Sequence, residues 1–277
     1  MIEFIRTELA SLFPLDPDPG KLRVMNEPLE DYLGRLLAGV PDGANWKLEY
    51  VPTPELAAKL AGNGNFTVID GDEIVGTCGS GGDIYGFTGV HIRYPWDILV
   101  LNERLVAELD TPEIAGTVSP AAHIEGVIRL GEGSRILPGV FIEGNVVIGR
   151  NCKIGPNCYI RGNTVVGDDC HIGQAVEIKN SVLGFKTAVG HLSYVGDSVL
   201  GDHVNFGAGT IIGNLRHDGK NHRSLVEGAL VDTGRRKFGA VVGNDVHTGI
   251  HTAIYPGRKL APGSSTRPGD VVQLDLK

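Results

Sequence analysis

Arg161 and Lys179 stand 18 residues apart, and His191, Tyr194 and Asn205 follow them closely. Two cations brought together can bind an anion such as a phosphate, a neutral imidazole beside them can accept a proton, and a phenol and an amide can orient what is bound. That chemistry requires the five side chains to share one surface, which the elements that carry them must provide.

Those elements follow a repeat of six. Aliphatic residues fall at Ile124, Leu130, Ile136, Ile142, Ile148, Ile154, Ile160, Val166, Ile172 and Ile178; a second register runs through Val189, Val195, Leu200, Phe206 and Ile212, and a third through Val242, Thr248, Ile254, Leu260, Thr266 and Val272. A period of six fits neither a 3.6-residue helix nor an alternating strand, but it fits a short strand followed by a turn. Three such units close a triangular coil of 18 residues, and coils stack at roughly 4.8 Å with each aliphatic residue inside. The pattern predicts a mainly β protein, a parallel β-helix over about residues 119 to 273. Cys152, Cys158 and Cys170 each precede an aliphatic position by two and should be small inward-facing hydrophobes. Cys78 lies outside the repeat without a CxxC partner, and no zinc site is expected.

In such a coil residues 18 apart align, which makes Arg161 and Lys179 stacked cations. Two like charges about 5 Å apart cost roughly 1 to 3 kcal/mol between water-like and surface-like dielectrics. Either an anionic ligand sits between them, or Glu143, one coil lower, or Glu177 compensates them; spacing alone leaves both open. From Ile178 to Leu183 is five residues instead of six. One residue is therefore dropped after Lys179, and the shortened edge should aim His191 and Tyr194 into a groove, with Asn205 on the next turn. His191 reads either as a structural surface histidine or as a general base near an anionic substrate.

Composition narrows the classes. The chain has 277 residues, 40 of them glycine, with 42% hydrophobic and 6% aromatic residues, which suits a turn-rich globular β protein. A net charge of −8 argues against nucleic acid as the main partner. The amino terminus "MIEFIRTELASLF" makes a poor signal peptide, and no apolar run is long enough for a membrane span, so a cytoplasmic location without membrane attachment is expected.

The stretch "VEIKNSVLGFKTAVGHLSYVGDSVLGDHVNFGAGTIIGN" resembles the acetyltransferase domain of the bifunctional glucosamine-1-phosphate acetyltransferase and N-acetylglucosamine-1-phosphate uridyltransferase. "NLRHDGKNHRS" and "VDTGRRKFGAVVGNDVHTGIHTAIYPGRK" are similar to the archaeal-type sugar-1-phosphate nucleotidylyltransferase/acetyltransferase variant. The resemblance implies a left-handed β-helix and a homotrimer with sites between subunits. It implies His191 as the base that deprotonates the amine of an amino-sugar-1-phosphate, Arg161 and Lys179 on the phosphate, Tyr194 and Asn205 on the sugar, and Glu177 and Asn214 in support. Backbone near Ala208 and Gly209 would lie along acetyl-CoA, the co-substrate, with Arg223 and Arg236 among the basic residues that could reach its phosphates. This chain departs from the bacterial pattern at Leu215, Ile250 and Pro268, and the family's following lysine has only Lys220 or Arg223 as a counterpart. The acyl-donor side and the identity of the sugar are the points these changes touch.

Three segments are expected: a reduced α+β amino-terminal domain over 1–94, a linker helix within 95–118, and the β-helix over 119–277 with an inserted loop at 214–241. "PTPELAAKLAGN" reads as a helix capped by Thr53, and "FTVIDGDEIVGT" as a hairpin about Asp70 and Gly71. The amino terminus lacks the glycine-rich nucleotide loop of the bifunctional family, and "GTCGSGGDIYG" has no Lys-Ser or arginine signature. A domain that no longer transfers nucleotides is expected. Two other functions compete: a non-catalytic β-helix that binds sugar phosphates or serves an assembly, and a γ-type carbonic anhydrase, for which His217 and His222 would need a third histidine around zinc.

Overall fold

The structure is a computed structural model that describes residues 2–277. The hexapeptide units form three parallel walls. The first has eight strands from Glu113–Ile114 to Arg258–Leu260, the second seven from Thr117–Val118 to His247–Thr248, and the third eight from His123–Glu125 to Val271–Val272. Register is 18 residues in the lower coils, as in Ile142↔Ile160 and Ile160↔Ile178. The corner residues Ile142, Ile148, Ile154, Ile160, Val166, Ile172 and Ile178 fill the interior together with Cys152, Cys158 and Cys170, whose thiols are free. Coiling begins at Glu113, a few residues before the repeat becomes visible in the sequence.

The shortened edge lies where the spacing places it. Arg161 pairs with Lys179 at a separation of 18, but Val165 pairs with Val182 at 17. A second short corner follows one coil higher, since Val182 pairs with Val199. Asn180 and Asp197 turn these two corners with φ of 46° and 50°, a left-handed conformation that Asn and Asp tolerate better than most residues.

Residues before the coil form a five-stranded sheet in the order Glu3–Ile5, Asn45–Lys47, Glu73–Cys78, Phe66–Asp70, Asp83–Gly86. Three helices accompany it: α1 (Leu29–Leu36), α2 (Pro54–Leu60) and α3 (Asp97–Ala107). Thr53 caps α2 by accepting from the Leu56 N–H, and the antiparallel hairpin around Asp70 and Gly71 forms as its turn residues suggest. In the glycine-rich loop, a Cβ at Gly82 would lie 2.1 Å from the Asn65 carbonyl oxygen, so backbone packing alone accounts for that glycine. No described helix is long and apolar enough to cross a membrane.

The amino-terminal part does not stand apart from the coil. Val147, Val165, Val182, Val199 and Val241 point outward from the first wall, yet they are buried in one apolar cluster with Trp96, Ile98, Leu99, Leu101 and Val106 around α3. Asn145 ties the end of α3 to the wall by donating to the Val106 and Leu109 carbonyls at 3.0 Å, groups that a helix end leaves unpaired. The segment inserted between the strands Ile211–Ile212 and Ala240–Val242 is ordered: a hairpin of Arg223–Val226 and Ala229–Asp232 sends Val226 into the same cluster, where Phe238 is also buried. Among the described residues the second and third walls contribute nothing to this cluster, although the insertion borders the third wall at Leu215 and Arg216. Because α3 lies on the first wall, Val165→Asp should bury an unpaired carboxylate and cost about 3 kcal/mol or more. Chemical denaturation checks this; an unchanged midpoint would mean that the wall is bare.

Candidate active site

The third wall carries the cations on one edge. Arg161 and Lys179 are register neighbours at the ends of the strands Tyr159–Arg161 and Glu177–Lys179. Both are compensated within the chain. Glu177 Oε1 accepts from Arg161 Nε at 2.8 Å, and Arg161 Nη2 also lies 2.8 Å from it. Glu143, the other carboxylate considered from the sequence, accepts instead from the Tyr159 hydroxyl. Lys179 donates to both oxygens of Asp197, at 2.9 and 2.8 Å. The stacked charges therefore do not by themselves demand an anion, which answers one of the two alternatives left open by spacing. Burial is the largest single influence on Arg161 and opposes its charge, but the hydrogen bond to Glu177 and the charges of Glu177, Tyr159 and Tyr194 together outweigh it, and the guanidinium pKa is raised.

Asp197 anchors this edge, although its position in the repeat resembles that of other corner residues. Its side chain is only 3% exposed and that of Lys179 15%. It also accepts from Asn180 Nδ2 at 3.0 Å and from Asn214 Nδ2 at 2.6 Å. Asn214 Nδ2 in turn lies 2.9 Å from the Tyr194 hydroxyl. The signal was present in the sequence, because Val195 to Leu200 is a second five-residue step and places Asp197 one coil above Asn180.

Gly196 explains how Tyr194 reaches this network. It occupies the column of Arg161 and Lys179, and a Cβ there would stand 2.4 Å from the Tyr194 hydroxyl and 2.7 Å from Asn214 Nδ2. The missing side chain lets the phenol fold back across the wall. Burial, with Asp197 and Glu177 adding to it, raises the Tyr194 pKa and keeps the hydroxyl protonated.

His191 stands at the other edge. It ends the strand Ala188–His191 of the second wall, and its exposed imidazole makes no hydrogen bond or ion pair among the described residues. The strand Tyr194–Gly196 separates it from the cation column, about 10 Å of wall at the usual rise per residue. His171 lies near it, and its pKa is lowered by burial first and then by Lys153 and His191, which favours the neutral ring. Ladder bonds stack His191 beneath Ala208 and Ile250: Gly209 N–H donates to the His191 carbonyl at 3.1 Å and His251 N–H to the Ala208 carbonyl at 2.8 Å. Ala208 and Gly209 thus continue the edge that His191 begins, and Ile250, 49% exposed, continues it further.

Other expected residues scatter. Asn205 lies outward on the second wall between Ala188 and His247, away from Tyr194. Arg223 and Arg236 belong to the insertion over the first wall, while Arg216 is paired with Asp218 and Arg235 with Glu103 of α3. His222 is buried and its Nε2 lies 3.1 Å from the Asn214 carbonyl, so it is committed to holding the insertion. No group of three possible metal ligands occurs among the described residues. A groove of about 730 Å³ lined by Ile211, Gly213, Leu215, Arg216, Ala253 and Tyr255 continues the third wall above Tyr194.

Gly196→Ala should displace the phenol and lower stability by about 1 to 3 kcal/mol. Gly190→Ala, where a Cβ meets nothing within 4 Å, should be close to neutral. Thermal melts of the pair check this, and equal midpoints would contradict the packing described.

A family described as the GMPPB C-terminal domain matches residues 142–260. The chain is 42% identical over 185 residues to the bifunctional sugar-1-phosphate nucleotidylyltransferase/acetyltransferase of Sulfurisphaera tokodaii, a match covering 67% of this chain and 46% of that protein. It is 47% identical over 186 residues to the bifunctional protein GlmU of Methanococcus maripaludis, covering 67% of this chain and 45% of that one. These matches span less than half the length of those relatives. Among solved structures, the UDP-N-acetylglucosamine acyltransferase of Francisella novicida aligns with 57% of this chain and 63% of its own at 15% identity and a TM-score of 0.35. The acetyltransferase domain of PglB from Neisseria gonorrhoeae aligns with 47% and 62% at 17% identity and a TM-score of 0.34. Over two thirds of its length the chain is thus homologous to part of the GlmU-like bifunctional sugar-1-phosphate nucleotidylyltransferase/acetyltransferases, and its coil is a hexapeptide-repeat β-helix.

Proposed function

We propose that the chain transfers an acetyl group from acetyl-CoA to the amine of an amino-sugar-1-phosphate. The observation that carries this is the third wall itself, which bears an exposed imidazole on one edge, an arginine and a lysine on the other, and a phenol folded between them. In this reading Lys179 and Arg161 keep donors for phosphate oxygens beside their carboxylate partners, and Tyr194 reaches the sugar phosphate from the middle of the wall. Glu177 and Asn214 support these groups, while Asn205, expected on the sugar, faces along the second wall and takes no part within this chain. The substrate lies across the wall with its amine toward His191.

A protonated amine cannot attack a thioester, so the ammonium first loses a proton to water and the step begins with free amine and neutral imidazole. His191 accepts the proton as the nitrogen adds to the thioester carbonyl; the tetrahedral intermediate collapses, the carbon–sulfur bond breaks, and the CoA thiolate recovers a proton from the imidazolium. No covalent enzyme intermediate is required, and the cysteines of the coil are buried inside it. Acetyl-CoA would lie along Ala208 and Gly209; Arg223 and Arg236 lie over the first wall, so they would meet its phosphates only from a neighbouring chain of a trimer. The Gly209 N–H is already given to the His191 carbonyl, so the oxyanion must find another donor. A homotrimer would bring a neighbouring chain against the second and third walls. Residues 1–94 act in this reading as cover for the first wall and transfer no nucleotide.

One observation favours a second reading, a sugar-phosphate-binding module without catalysis: Ile250 stands exposed on the edge above Ala208, where the acyl donor would run. Free thiol released from acetyl-CoA in the presence of a panel of amino-sugar-1-phosphates separates the two. The proposal expects turnover with at least one sugar and a loss of about 10² to 10⁴ in kcat for His191→Ala. Silence across the panel, with sugar phosphate still bound, would establish the binding module.

A further inference from the structure

The hydrogen bonds behind the third wall have a fixed direction. A carboxylate only accepts, so Asn180 and Asn214 must both turn their NH₂ groups toward Asp197. Each NH₂ has two hydrogens. Asn180 gives its other one to Glu103 Oε1 at 2.6 Å, and Asn214 gives its other one to the Tyr194 oxygen at 2.9 Å. Glu103, on α3, also receives Arg235 Nη1 of the insertion at 3.1 Å. The sequence of donors thus runs from Arg235 to Glu103, from Asn180 to both carboxylates, and from Asn214 to Asp197 and Tyr194. Since the Tyr194 oxygen accepts from Asn214, its own proton is left to point elsewhere.

We propose that Asp197 is a positioning residue that, through Asn214, makes Tyr194 present its hydroxyl proton to an acceptor oxygen of the bound sugar phosphate. Glu103 of α3 holds this arrangement from behind and docks the insertion to it through Arg235. The inference rests on the acetyl-transfer reading for its substrate, not for its geometry. It gives the contact between α3 and the coil a part in recognition as well as in packing.

The test follows from the bond directions. In Asp197→Asn the new NH₂ faces Asn214, whose amide must flip to offer its oxygen; Tyr194 then donates inward and its proton is lost to the substrate. Asp197→Asn and Tyr194→Phe should each raise the KM for the amino-sugar phosphate about tenfold with the KM for acetyl-CoA changed less than twofold, and the double variant should be no worse than the poorer single. A double variant impaired about a hundredfold would overturn the proposal, as would an unaffected Asp197→Asn. A second readout needs no turnover: in protein labelled with ¹³Cζ-tyrosine, the Tyr194 resonance, assigned by its absence in Tyr194→Phe, should shift in Asp197→Asn. If the wild type turns over no sugar phosphate, the functional reading fails while this resonance still decides the geometry, and an unmoved signal refutes it. Glu103→Gln should speed hydrogen exchange across the hairpin at 223–232, and unchanged protection would remove Glu103 from the arrangement.

Discussion

One buried ion pair organises this face of the molecule. Asp197 is almost wholly removed from water, a condition a carboxylate tolerates only when its oxygens are filled, and Lys179 and two asparagine amides fill them. Losing one member of a buried pair typically costs about 3 to 5 kcal/mol, because the charge left behind has no partner. The geometry that makes the pair is a missing residue in each of two successive corners, which draws Asn180 and Asp197 into line above one another. Gly196, Tyr194 and Asn214 then take the only space left.

The same constraint ties the three parts of the chain together. Asn180 looks one way to the coil and the other way to α3, and Glu103 of that helix receives the insertion. The outward valines of the first wall add apolar area to this polar contact, so the amino-terminal part, the coil and the inserted hairpin share one cluster. Two walls stand outside that cluster, and the candidate chemistry lies on one of them and on the edge it shares with the other.

Much of this was legible because a period of six admits few structures. The corner residues, the inward cysteines, the stack of Arg161 on Lys179 and the shortened edge all follow from counting, and Thr53 and the Asp70–Gly71 turn follow from local chemistry. Asp197 did not stand out, because several corners in left-handed conformation carry Asn or Asp, as at Asn151, Asn157 and Asp169. The second five-residue step marks its corner, and its partners on other coils show what it does there. The Arg235 to Glu103 bond joins residues 132 apart, and no local pattern encodes such a contact. The outward valines also read as ordinary strand residues until the helix that covers them is seen. Stacking predicted the neighbours of Lys179, but it could not say that His191 stands a strand's width away, nor that Asn205 faces along a different wall.

A crystal structure of the protein with an amino-sugar-1-phosphate bound tests the central claim most directly. The account predicts phosphate oxygens within hydrogen-bond distance of Lys179 Nζ and the Arg161 guanidinium, the Tyr194 hydroxyl donating to the ligand, and the amine directed toward His191. A sugar seated instead in the groove of Ile211, Leu215 and Tyr255, with the Lys179 and Asp197 pair untouched, would contradict it.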